Sequence, residues 1–115
     1  MTRDAQSPAR VLIVEDDAFT RALVGESLAN AGMVVKTAEN YAVATEILNE
    51  YEPNVVVSDL DLGPGPSGAD LLTRVHEERP WVGLVALTSH GSATLAVGSG
   101  HELPEGVVYL DGNSL

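Results

Sequence analysis

Two short apolar runs, each stopped by carboxylates, constrain this chain more than any other feature. Val11-Leu12-Ile13-Val14 ends in Glu15-Asp16-Asp17, and Val55-Val56-Val57-Ser58 ends in Asp59. Continuous Val/Ile/Leu runs of this length read as parallel strands buried on both faces. In open α/β sheets the ligand crevice lies beyond the carboxyl ends of the strands. If the two runs are neighbours, three or four acids converge on one spot, where they repel and raise one another's pKa values. A hard divalent cation among them relieves that repulsion. The residues point to a Mg²⁺ site with one carboxylate left for chemistry.

Composition narrows the classes. The chain has 115 residues, 44% of them hydrophobic, enough for one domain with a real core. Its formal net charge is −11, with 17 acids against 6 bases, which argues against binding nucleic acid through a basic surface. A solvated acidic surface accounts for most of these acids. Cysteine is absent, so disulfides, thiolate catalysis and Cys-based zinc sites are excluded. The longest apolar stretch, Trp81 to Leu87, is far short of the roughly 20 residues a membrane-spanning helix needs. Residues 1–9 have no apolar core of a signal peptide and read as a frayed tail, leaving 10–115 as the domain. A soluble, cytoplasmic protein is the expectation.

Apolar runs alternate with helix-like segments, the pattern of an α/β doubly wound parallel sheet. Strand one is placed at Arg10–Val14 and a helix from Ala18 to Ala31, with Phe19, Leu23, Val24 and Leu28 on one face and Gly32 as its stop. Met33–Thr37 is the second strand. Asn40 caps a helix whose stripe of Val43, Ile47, Leu48 and Tyr51 ends before Pro53. Val55–Asp59 is the third strand, followed by a Gly/Pro loop. Ser67-x-x-Asp70 resembles a capping box and opens a helix carrying Leu71, Leu72 and Val75, which stops before Pro80. Val82–Leu87 and Gly106–Leu110 are strands four and five. The Ser/Gly-rich segment 89–100 predicts a weak fourth helix, and a fifth has too few residues after Asp111.

Right-handed crossovers and the flavodoxin-like order 2-1-3-4-5 put strands one and three side by side at the switch point. Glu15 and Asp16 then face Asp59, with Asp61 two residues on. Strand four delivers Thr88 and Ser89 to the same edge, and strand five brings Tyr109 below it. Each residue alone has a plainer reading. Asp17 or Glu15 can cap the first helix, and Asp59 can be a solvated strand-end acid. Asp61 can be a loop residue, Thr88 a partner for backbone, and Tyr109 a half-buried edge aromatic. His90 reads as a loop residue, while His76 and His101 have no ligand partners at metal spacing. The combination carries the inference.

Over residues 10–112 this pattern resembles the receiver domain of bacterial two-component response regulators. The matching stretches are Val11 to Asp17, Val57-Ser58-Asp59-Leu60-Asp61-Leu62, Ser67-Gly68-x-x-Leu71, Leu87-Thr88-Ser89 and Tyr109-Leu110. The resemblance implies that Glu15 and Asp16 hold Mg²⁺, that Asp59 is the phosphoacceptor, and that the backbone carbonyl of Asp61 completes the metal shell. It further implies that Thr88 is a switch hydroxyl coupled to the aromatic Tyr109. Asp61 and His90 fall on two variable positions tied to dephosphorylation. The implied partner is a sensor histidine kinase or phosphotransfer protein.

Two departures stand out. The family places a lysine three residues after the switch aromatic, where this chain has Gly112, followed by Asn113; its only lysine is Lys36. The resemblance therefore leaves two readings open: a phosphoryl-accepting receiver, or an interaction module on the same fold that works without phosphorylation. The short C-terminus is the second departure. It fits a truncated chain, a longer natural protein, or a homodimer that covers the bare face through the strand-five edge or exchanged elements. The loop after strand three is also one residue longer than usual. Asp59-Leu60-Asp61 is similar to the Asp-x-Asp of haloacid-dehalogenase-type phosphatases, but the motif follows the wrong strand and the chain lacks a later lysine and the length for a cap.

Overall fold

The computed structural model describes residues 8–88 and 103–111. Expectations for the fourth helix, Ser89, His90, His101, Gly112 and Asn113 lie outside the described residues. Within them, strands and helices alternate as β1 (Arg10–Val14), α1 (Ala18–Asn30), β2 (Val34–Ala38), α2 (Tyr41–Tyr51), β3 (Val55–Asp59), α3 (Gly68–Glu78), β4 (Gly83–Thr88) and β5 (Val108–Asp111). All strand pairs are parallel and the order is β2-β1-β3-β4-β5.

Two apolar layers sandwich the sheet. Leu12, Val14, Val56, Leu84 and Ala86 face Ala44 and Leu48 of α2 and Leu71, Leu72 and Val75 of α3. On the other face Val11, Ile13, Val57 and Leu87 pack with Val24 of α1. Period-two alternation along each strand divides the residues between the layers. Among the described residues, α1 is the helix on this second face, and Val55, Val85 and Leu110 beside it remain partly open.

The helix starts are set by local chemistry. Asp17 Oδ2 accepts from Thr20 N–H (2.8 Å), and Asn40 Oδ1 accepts from Val43 N–H (2.9 Å). Ser67 Oγ accepts from Asp70 N–H (3.1 Å) while Asp70 Oδ2 accepts from Ser67 N–H (2.9 Å), a reciprocal capping box. At the opposite end of the sheet, Arg10 donates to the Glu52 carbonyl through Nε (3.1 Å) and Nη2 (2.8 Å), tying β1 to the residue that closes α2.

One expectation about α1 does not hold. Phe19 and Leu23 were expected on its buried face, but they are 76% and 39% exposed. Val24 and Leu28, one turn apart, form the sheet-facing stripe. Leu23 lies about 100° round the helix from Val24, and Phe19 sits in the first turn, beyond the sheet's edge.

Candidate phosphoryl and metal site

β1 and β3 pair in register up to Val14 opposite Ser58, so the next residues, Glu15 and Asp59, emerge side by side. One carboxylate oxygen each from Glu15, Asp16 and Asp59 falls within 4.8 Å of the others. The acids expected to converge are thus brought together. They line an open crevice of about 350 Å³, with Asp61, Thr88 and Leu87 on the β3–β4 side and Phe19, Thr20 and Leu23 on the α1 side.

Glu15 is the buried member, 4% exposed. Its backbone N–H donates to Ala38 O (3.0 Å) and its Oε2 accepts from Asp17 N–H (3.0 Å). Burial pushes its carboxyl up to about 8, the Asp17 N–H opposes that, and the negative charges of Asp59 and Asp16 add to the rise. Asp59 is also raised, first by burial; its Oδ1 accepts from Asp61 N–H (3.3 Å), which opposes the shift, while Asp16 and Asp61 add to it. Both carboxyls resist ionisation chiefly because they are buried, and neighbouring acids add to that. An all-carboxylate donor set suits a hard divalent cation.

Asp61 lies at the rim, and its own Oδ1 accepts from Gly63 N–H (3.0 Å), curling the loop toward Asp16. Gly63 has φ 78°, a left-handed conformation that suits glycine, and a Cβ there would meet Asp16 Oδ2 at 3.4 Å. Thr88 ends β4, and its hydroxyl donates to the Leu110 carbonyl of β5 at 3.4 Å. Tyr109 is paired beside Ala86, 51% exposed, and does not line the crevice. His76 lies exposed in the last turn of α3, away from the acids.

Sequence reasoning passed over two residues here. Gly68 packs against Asp59 so closely that a Cβ on it would overlap the Asp59 carbonyl. Arg21 donates from Nη1 to the backbone carbonyls of Glu15 (2.8 Å) and Asp16 (3.5 Å). The signal for Arg21 was a lone arginine six residues after Glu15, readable only once the turn into α1 was known.

A sequence model for the response regulator receiver domain matches residues 11–100. The chain is 33% identical over 87 residues to the DNA-binding transcriptional regulator NtrC of Escherichia coli (strain K12), covering 76% of this chain and 18% of that protein. It is 31% identical over 88 residues to the transcriptional regulatory protein TcrA of Mycobacterium tuberculosis, covering 76% of this chain and 34% of that one. The chain therefore spans a minor part of the curated relatives it matches. In fold it is similar to the solution structure of the REC domain of the Erythrobacter litoralis PhyR response regulator (TM-score 0.74, 24% identity, 91% of this chain and 80% of that chain). A response regulator receiver protein from Sinorhizobium medicae aligns with TM-score 0.77 at 21% identity, over 92% of this chain and 83% of that chain.

Proposed function

Because the chain belongs to the response regulator receiver domain family, we propose that it accepts a phosphoryl group on Asp59 in a Mg²⁺-dependent reaction. The donor in this reading is a sensor histidine kinase or a phosphotransfer protein, and the setting is the cytoplasm. Residues 10–115 act as the receiver unit, with 1–9 as a tail. The observation that carries the reading is the convergence of Glu15, Asp16 and Asp59 within 4.8 Å at the end of β1 and β3.

Glu15, Asp16, Asp59 and the backbone carbonyl of Asp61 would hold the cation. When bound, Mg²⁺ neutralises charge on the transferring phosphoryl oxygens. A carboxylate oxygen of Asp59 attacks phosphorus, the bond from phosphorus to the donor's imidazole nitrogen breaks, and the imidazole leaves with the electron pair. The Asp61 N–H on Oδ1 orients the Asp59 carboxylate. The Thr88 hydroxyl, now on the Leu110 carbonyl, can turn into the crevice and donate to a phosphoryl oxygen. Such a turn would release a contact between β4 and β5, and Tyr109 on β5 is the aromatic that would respond. The exposed β5 edge, with Val108 60% exposed, is where a second copy would pair.

Hydroxylamine tests the reading, because it cleaves an acyl phosphate and leaves a hydroxamate on the carboxyl. After treatment with acetyl phosphate and Mg²⁺, peptide mapping should find that mark on Asp59; a mark elsewhere, or none, contradicts it. A second reading has one specific support, Gly112 at the place of the family's lysine. In that reading the chain is an interaction module, and partner binding survives Asp59→Asn unchanged.

A further inference from the structure

β1 ends at Val14, and the first carbonyl taken up by α1 is that of Asp17, which accepts from Arg21 N–H at 2.9 Å. The carbonyls of Glu15 and Asp16 fall between strand and helix. Among the described residues, neither the sheet ladder nor the helix supplies them a backbone donor, and a buried carbonyl such as that of Glu15 needs one from elsewhere. Arg21, one turn into α1, supplies it, with Nη1 at 2.8 Å from the Glu15 carbonyl and 3.5 Å from that of Asp16. Its guanidinium does not line the crevice. It grips the backbone of the two residues whose carboxylates do.

We propose that Arg21 is a positioning residue for the metal site, setting the loop between β1 and α1 so that the Glu15 and Asp16 carboxylates converge with Asp59. The inference rests on the Mg²⁺ reading of that crevice.

Three contacts then define Glu15: its N–H on Ala38, its side chain under the Asp17 N–H, and its carbonyl on Arg21. Only the last is made by another residue's side chain, so a substitution can remove it without altering the acids. Both carbonyl contacts of Arg21 come from one nitrogen, Nη1, held in a planar, permanently charged guanidinium at the end of a long side chain. Its charge contributes to holding Asp17 below the usual carboxylate range, after the Thr20 hydrogen bonds. Groups that orient metal ligands without touching the metal commonly set affinity, because ligands held in place need no reordering when the ion binds.

A merely structural staple would behave differently. Its loss would lower the melting temperature of the metal-free protein and leave the metal affinity of the folded state alone. The test is a Mg²⁺ titration of the wild type, Arg21→Gln and Arg21→Lys, read by the melting-temperature shift and by calorimetric binding. Arg21→Gln should weaken Mg²⁺ by about tenfold, the lower end for loss of a ligand-orienting partner. Arg21→Lys keeps the charge but replaces the planar guanidinium by an ammonium of different reach and geometry, and should fall between the two. It carries the test if the glutamine variant does not fold. Mg²⁺ affinities equal to the wild type in the folded variants would overturn the proposal, whatever happens to their metal-free stability. A wild type that shows no Mg²⁺ binding would instead remove the metal reading itself, before any variant is compared.

Discussion

The α-carbon of Gly68 lies against the carbonyl of Asp59, with no room between them for a Cβ. Gly68 N–H also donates to the Leu60 carbonyl at 3.0 Å, so the start of α3 is docked directly onto the end of β3. The contact sets how Asp59 leaves the strand. Gly68→Ala should push α3 and β3 apart at a cost of about 1–3 kcal/mol, the range for overpacking a filled site. Its melting temperature should drop by several degrees and its phosphoryl acceptance should fall with it. A variant as stable and as reactive as the wild type would show that the junction gives way easily.

The acid cluster predicts an unusual pH profile. The carboxyl of Glu15 stands at about 8, above its ordinary 4.5, and Asp59 is raised as well. A carboxyl raised by folding binds its proton more tightly in the native state than in the unfolded chain. Its contribution is therefore fully present below about pH 4.5 and is lost as pH climbs through about 8. Metal-free protein should become less stable across that window. Mg²⁺ reverses the trend, because the ligands must be ionised to bind it and binding releases their protons. Denaturant melts with and without Mg²⁺ at several pH values check both signs; a metal-free stability that rises over the window would contradict the assignment.

Glu15→Gln separates the cost of the buried charge from its use. The amide cannot ionise, so the metal-free variant should keep its stability from about pH 4.5 to about 8, the window in which the wild type weakens. The same variant should lose most of the Mg²⁺-induced rise in melting temperature, since a carboxylate ligand is gone. A Mg²⁺ response equal to the wild type's would remove Glu15 from the ligand set.

Asn40 provides the contrast. It caps α2 through the Val43 N–H and does not line the crevice. Asn40→Ala should cost about 1 kcal/mol of stability, typical for a lost N-cap. Mg²⁺ affinity and phosphoryl acceptance at Asp59 should not move. A changed metal response in this variant would mean that global stability, and not local geometry, drives the readouts above.

Much of this was legible in the sequence because the two informative runs are buried on both faces and end in charge. β1 and β3 fell where their apolar runs lie, and the strand order followed from handed crossovers. β2 starts one residue later than expected because Met33 N–H still closes α1, donating to the Leu28 carbonyl at 3.2 Å. β4 likewise begins at Gly83, since Val82 N–H is held in a turn by the Arg79 carbonyl at 3.0 Å. In β5, Gly106 has φ 85° and belongs to the turn. These boundaries depend on turn hydrogen bonds that hydropathy does not encode. The grouping of Glu15, Asp16 and Asp59 could be read from strand ends alone. The contacts of Gly68 and Arg21 could not, because both depend on how a helix start meets a strand end in three dimensions.

The most direct test of the central claim is the intact mass of the chain after incubation with acetyl phosphate, with Mg²⁺ and with a chelator, beside Asp59→Asn. A single phosphoryl adduct on the wild type, present with Mg²⁺ and absent from both the chelated sample and Asp59→Asn, is the predicted result. An unmodified wild type that is folded and binds Mg²⁺, or an adduct that persists in Asp59→Asn, would contradict the account.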